Sequence, residues 1–373
     1  KLEYKGTAET LSTAISSEML TGGLPDVIAL DATSYSAYKT EGIIVPIDEY
    51  VTEEEKNAYV DSVIEQATID GKLYGLSAMD APGGLYYNKE IITKEVLTKA
   101  GVEDYGTIEN PWSWDDVYSV LKVLREEGKP HQIKLNLGFG GTEGCMYLYS
   151  SLVYSAGGTF SENGKISQGL TKEASLNGLR SLEKILKNED GENYSYTGEN
   201  ADAFAQGEVP LQIYGPWDIT TIRKNYKDFE SKYDIMPLPV YEKDGVKGEI
   251  ATPCGSWGLA VTKDSKNVAD AAKVILYLTG KEASSMFYEG IGVFPTNKEL
   301  YNEITAFSEE GPLKSLSELL IKTAEPRPVL ENYPKLAVAY SNIIEYIETM
   351  VNEPDYDLKA FVTDKANAAD EGY

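Results

Sequence analysis

The sequence contains a single histidine and two cysteines in 373 residues. That scarcity closes most catalytic routes. His131 lies in the turn-like stretch Gly128-Lys129-Pro130-His131-Gln132, so a nucleophilic triad would have to rely on one loop histidine. Cys145 and Cys254 stand far apart in no metal-ligand spacing, and read as two isolated small hydrophobes, with one disulfide as the alternative. No metal site and no cofactor are implied. Two near-misses reinforce this. Cys254-Gly255-Ser256-Trp257-Gly258 lacks the first glycine of a nucleophile elbow. Gly138-Phe139-Gly140-Gly141-Thr142-Glu143 places glutamate where a dinucleotide fingerprint needs its third glycine.

Basic residues are also in deficit, with 34 Lys+Arg against 60 Asp+Glu and a net charge of −26. So acidic a surface repels phosphate backbones and anionic lipid, which argues against nucleic acid and membrane surfaces as partners. No apolar run approaches the roughly 18 residues of a transmembrane helix. No signal peptide is present, and the chain opens at Lys1, as a processed or trimmed product would.

What is present is an ordinary globular composition, 42% hydrophobic and 25% charged, long enough for two or three domains at about 150 residues each. Ala8, Leu11, Ile15 and Met19 recur at helical spacing until Gly22-Gly23 stops them. Val27 to Leu30 is a short apolar run ending in Asp31, as a buried strand of a parallel sheet would. Asp70-Gly71 and Asn163-Gly164 are hairpin turns. Strands are expected at Leu85-Tyr86-Tyr87, 132–137, 209–214 and 257–262. Ser113 is placed to cap a helix with Val117, Val120, Leu121 and Leu124 on its apolar face. Further helices are expected at about 144–156, 174–186, 267–279, 313–323, 335–351 and 358–368. Alternating strands and helices predict an α/β chain with mostly parallel sheets and two lobes.

An ordered set of short motifs then carries a family resemblance. Leu24-Pro25-Asp26-Val27, Gly42-Ile43-Ile44-Val45-Pro46-Ile47-Asp48 and Asp70-Gly71-Lys72-Leu73-Tyr74-Gly75-Leu76 come first. Leu85-Tyr86-Tyr87-Asn88-Lys89, Trp114-Asp115-Asp116, Gly215-Pro216-Trp217, Gly255-Ser256-Trp257-Gly258-Leu259-Ala260-Val261 and Arg327-Pro328 with Tyr333-Pro334 follow in order. The chain resembles the extracellular solute-binding proteins of bacterial ABC transporters, in their carbohydrate-binding branch. The resemblance implies a periplasmic-binding-protein-like α/β fold: two discontinuous lobes, a hinge and a ligand cleft between them. The first lobe would take about 1–84 and 254–298, the second about 85–253 and 299–373. It implies a monomer that delivers an oligosaccharide to membrane permease subunits and catalyses nothing. It also implies an extracellular lipoprotein or a periplasmic protein. Family members usually begin with a strand and a helix before the segment matching Leu2-Glu3-Tyr4, so a missing N-terminal part is expected.

The chemistry of sugars selects the candidate residues. Hydroxyls suit carboxylates, with charge-assisted hydrogen bonds worth about 1.5–3 kcal/mol each. The C–H faces of a sugar suit flat aromatic rings, and 27 Tyr and 4 Trp against 8 Phe favour rings with a polar edge. By resemblance Trp217 is the leading stacking platform, and Asp218 beside it either caps the following helix or touches ligand. Trp257 has small neighbours that leave its ring accessible. Tyr147 and Tyr340 match positions of ligand-facing rings, with Tyr333 an alternative to Tyr340. Asp31 ends its strand where open α/β sheets bind ligands, with a turn-capping aspartate as the alternative. Asp80 lies at the first lobe crossing and grips ligand or stabilises the hinge; Glu143 is a weaker candidate. Trp112 and Trp114 read as packing. Three rival functions remain open: a polyamine or other cation receptor of the same fold, a secreted glycoside hydrolase using a pair of carboxylates, and a non-transport sensor with the same fold.

Overall fold

The computed structural model describes residues 11–139, 141–187, 191, 193–255, 257–308 and 311–371. Ala8, expected in the first helix, lies outside them. The chain divides into two units. The first runs up to Asp80 and takes in Gly255–Ile304 and Pro328–Tyr333; the second is Ala81–Cys254, Thr305–Arg327 and the chain from Pro334 onward. The sequence reading places 299–373 in the second lobe, whereas here residues 299–304 and Pro328–Tyr333 group with the first unit. For 299–304 the reason is local. Lys298 N–H donates to Ala58 O, and the Tyr301 hydroxyl donates to Pro295 O, so the stretch is tied down on both sides.

In the first unit the helix Leu11–Thr21 ends at Gly22, whose φ of 74° no ordinary side chain adopts cheaply. The strand Val27–Asp31 follows. The hairpin signal at Asp70-Gly71 is realised: Thr68–Ile69 and Lys72–Leu73 pair antiparallel around φ values of 51° and 74°. The central strand of the sheet is Trp257–Thr262. One of its edges pairs antiparallel with Val27–Asp31, and the other pairs antiparallel with Gly75–Ser77 and Ile44–Val45. The helix Val268–Thr279 packs on this sheet through Ala271, Ala272 and Ile275, at the spacing of one helical face.

In the second unit the sheet runs in the order Tyr233–Met236, Gly84–Asn88, Leu211–Tyr214, Ile133–Lys134. The first two pairings are antiparallel and only the last is parallel. The expectation of mostly parallel sheets is therefore corrected. A strand that returns from elsewhere in the chain need not be fed by the adjacent crossover helix, and here the returning strands lie against their neighbours. Gly84–Asn88 is buried at every residue, as a central strand must be. Ser113 caps Trp114–Glu126 in a reciprocal box with Asp116, and Trp112 and Trp114 are buried packing residues. The expected helix 174–186 is split into Glu173–Arg180 and Glu183–Leu186. Bonds of three-residue span, Ser181 N–H to Gly178 O and Leu182 N–H to Leu179 O, tighten the chain between them.

The helix Gly141–Ser155 is the spine of this unit, buried along most of its length and packed on Glu173–Arg180. Cys145 on it and Cys254 elsewhere in the unit are both buried thiols. Tyr340, expected to face ligand, is fully buried against this spine. Its hydroxyl donates to Tyr149 O at 2.5 Å, and its ring meets Phe160 edge-on at 5.2 Å. A ring with no accessible face offers nothing to stack on; it is core. Tyr340→Phe removes this buried hydrogen bond while the Tyr149 carbonyl keeps its place in the helix, so urea unfolding should show a loss of about 0.5–1.5 kcal/mol. Ligand affinity should stay within about twofold. Weakened binding without a loss of stability would restore Tyr340 to the ligand site.

Candidate functional site

Two surfaces carry the candidate residues, one on each unit. On the first, Trp257 opens its strand with half its surface exposed (50%). Its cross-strand partner is Asp31. Directly paired residues share a sheet face with Cβ atoms about 4.5–5.5 Å apart, so ring and carboxylate are neighbours by register alone. The Ser77 hydroxyl donates to Trp257 O at 2.6 Å and fixes the backbone there. Asp31 is half-buried, and its Oδ1 accepts from both the amide and the hydroxyl of Thr33, at 3.1 and 2.9 Å. It caps the turn Ala32–Ser34 and stands beside an exposed indole at once.

Asp80 is a different kind of carboxylate. It is buried, accepting from the Ser62 hydroxyl at 2.7 Å and from Gly255 N–H at 2.9 Å. Of the two roles expected for it, the structural one is what its contacts describe: it ties the last residue before the chain leaves the first unit to the residue at which it re-enters. Tyr333 is likewise buried at the start of Tyr333–Met350, and presents no ring face to solvent.

On the second unit the strand Leu211–Tyr214 leads through Gly215-Pro216 into the helix Trp217–Asn225. Alternation along the strand puts Gln212 and Tyr214 on one face. The Tyr86 hydroxyl donates to Gly215 O at 2.8 Å and pins the turn. Trp217 is half-buried within a cluster of rings. Phe139 stacks on it at 5.2 Å and 21°, Tyr147 leans on it at 5.8 Å and 39°, and Tyr214 meets it edge-on at 5.2 Å. Trp217 Nε1 is buried and meets no acceptor in hydrogen-bond geometry among the described residues. It lies close enough to the Tyr214 hydroxyl to oppose the upward push that burial exerts on that phenol. Tyr147 is mostly buried, its hydroxyl donating to Ala81 O at 2.6 Å.

Asp218 does not cap its helix. It sits in the first turn, where negative charge favours the helix dipole, and accepts from Gln212 Nε2 at 2.7 Å. Desolvation pushes its pKa up; the Gln212 hydrogen bond and Lys134 pull against that, while Asp202 adds to it. One turn before Tyr147 on the same helix, Glu143 pairs with Arg327 at 2.7 Å, the arginine being almost wholly buried.

The cluster thus joins Trp217, Tyr147 and Asp218, which the sequence singles out, to Phe139, Tyr214 and Gln212, which it does not. A glutamine inside an otherwise apolar buried strand was the one local signal for Gln212. Phe139, alone among glycines, has no periodicity to place it. Chemically, the two surfaces offer aromatic faces bordered by carboxylates and an amide. Aromatic faces complement the C–H faces of a ligand, and carboxylates and amides complement its hydroxyls.

Residues 1–284 match the family of bacterial extracellular solute-binding proteins. The chain is 25% identical over 333 residues to the maltodextrin-binding protein of Bacillus subtilis, covering 86% of this chain and 71% of that protein. It is 22% identical over 345 residues to the galactooligosaccharide-binding protein of the same organism, covering 88% and 73%. Among solved structures, a sugar-binding protein of Xanthomonas citri matches with a TM-score of 0.77 at 17% identity, covering 96% of this chain and 87% of that one. The fold is accordingly periplasmic-binding-protein-like, and the chain belongs to the bacterial extracellular solute-binding protein family.

Proposed function

We propose that the chain captures an oligosaccharide and hands it to the permease of an ABC importer, acting as a monomeric receptor held outside the cytoplasmic membrane. The observation that carries this reading is Trp217, an indole left half-buried among tyrosine rings with a carboxylate on the next residue. Burying about 100 Å² of a sugar face on such a ring contributes roughly 2.5 kcal/mol. Two or three charge-assisted hydrogen bonds add about 1.5–3 kcal/mol each. Against the cost of immobilisation these suffice for micromolar affinity, about −8 kcal/mol. The relatives named for maltodextrin and galactooligosaccharide support a sugar over a polyamine. No catalytic step is assigned to the chain.

Calorimetric titration against a panel of oligosaccharides tests the reading. Trp217→Ala should weaken binding by about thirtyfold or more, the signature of an aromatic anchor. Trp257→Ala, removing a more exposed ring, should cost about three- to tenfold. Unchanged affinity in Trp217→Ala, or reducing ends released at turnover, would sink the receptor assignment.

Asp218 supplies a pH signature. Its folded pKa is raised, so between the ordinary carboxylate range and that raised value the folded state holds more protons than the unfolded chain. Stability therefore falls as pH rises through this window, and the penalty is complete above it. Asp218→Asn should be more stable than wild type at pH 7, with the gap closing on acidification. A gap that does not change with pH would contradict the burial argument.

A further inference from the structure

The ring that touches Trp217 most nearly face to face is not a tyrosine but Phe139, and it comes from the glycine-rich stretch that fits no phosphate-binding motif. Phe139 lies in the turn between Ile133–Lys134 and Gly141–Ser155. Its centroid is 5.2 Å from that of Trp217 with planes 21° apart, and its edge meets Tyr214 at 5.0 Å and 81°. Two rings so placed are in direct contact. A sugar sandwiched between aromatic planes needs van der Waals contact of roughly 3.5–4 Å on each side, and hence about 7–8 Å between them. No sugar fits between Phe139 and Trp217 as they stand. The phenyl ring occupies the surface on which a sugar would stack.

Other parts of the indole are already taken. A Cβ on Gly215 would fall 2.2, 2.4 and 2.5 Å from Cη2, Cζ3 and Cζ2 of Trp217, which puts the backbone against the face of its six-membered ring. Tyr147 and Tyr214 hold two more approaches.

The turn is anchored in a way that leaves the phenyl free to leave. Asn136, at a φ of 56°, donates from Nδ2 to Ile213 O at 2.8 Å and fixes the start of the turn. Phe139 N–H closes the turn on Asn136 O at 3.0 Å. The Phe139 carbonyl sits in a notch that only glycine provides, since a Cβ on Gly144 would lie 1.7 Å from it. The backbone is thus seated at both ends while the side chain is only half-buried. Rotation about χ1 can swing the ring off the indole without breaking either anchor, and such flips of partly exposed side chains are fast compared with ligand release.

We propose that Phe139 is an internal competitor for the Trp217 platform, stacked on it in the empty receptor and displaced by the incoming sugar. This rests on the sugar-binding reading of the same site. A platform that is competent only when Phe139 is away has its apparent affinity reduced by the fraction of time it is free. The reduction is one common factor for every ligand that stacks on Trp217, and it leaves untouched any ligand that does not. The device sets how much extra contact a sugar must bring before it is retained, so short sugars that gain little beyond the platform are released.

The test is titration of wild type, Phe139→Ala and Phe139→Leu with maltose, maltotriose and a galactooligosaccharide, beside acrylamide quenching of tryptophan fluorescence without ligand. Phe139→Leu keeps most of the volume but cannot stack, and serves if the alanine variant unfolds. An aromatic pair of this kind corresponds to about a two- to tenfold change in affinity. Both variants should bind each sugar more tightly by the same factor in that range, and quenching of the ligand-free protein should rise. Weaker binding would mean that the phenyl touches the sugar, and unchanged binding would mean that it does not contest the platform; either overturns the proposal. If wild type binds none of a wide sugar panel, the receptor assignment fails instead.

Discussion

The first unit cannot complete its sheet until the chain has left it and come back. Trp257–Thr262 is the strand on which both edges of that sheet pair, and it follows the whole of Ala81–Cys254 in sequence. Closing so long a loop carries an entropic cost that local contacts do not repay, and such non-local pairing is slow to form. Asp80 acts where the constraint is tightest. One carboxylate oxygen holds the Ser62 hydroxyl and the other the amide of Gly255, so exit and return are tied by a group buried among its partners. The position of Trp257 follows from the same constraint, because the residue that begins the returning strand is registered opposite Asp31.

On the second unit the site is positioned by a different rule. A strand leading directly into a helix leaves little freedom at the turn, and Gly215 removes what side chain there would have been so that the indole can fold back over it. The rings around Trp217 make a surface that is apolar in its faces and polar at its edges. Tyrosine hydroxyls tied to backbone carbonyls, such as those of Tyr86 and Tyr147, hold their rings in place rather than offering donors to a ligand. The carboxylates divide in the same way: Asp80 is buried among protein donors, whereas Asp31 and Asp218 remain half-buried beside an indole.

Much of this was legible in the sequence wherever the cause is local. The Asp70-Gly71 hairpin, the Ser113 cap and the helix stop at Gly22 depend on a few adjacent residues, and they are where the motifs put them. The ordered set of family motifs carried the fold. Strand direction was not legible, because Trp257–Thr262 takes its partners from segments far away and nothing in its own residues says which way they run. Burial of Tyr340 was equally hidden: helical periodicity marks an inward face without saying whether that face meets a ligand or, as here, Phe160 and the Tyr149 carbonyl. The 174–186 helix failed for a third reason, since a few three-residue-span bonds interrupt it without disturbing its hydrophobic pattern.

The two thiols have a consequence for a protein of an extracellular family. Outside the cytoplasm, surroundings favour oxidation, and an accessible thiolate would exchange disulfides with whatever it met. Cys145 and Cys254 are both buried, and burial pushes the Cys145 thiol up to about 12. Burial thus disfavours the Cys145 thiolate, which is the nucleophile that begins thiol–disulfide exchange. The packing that makes Gly141–Ser155 the spine of its unit thereby also keeps Cys145 chemically silent.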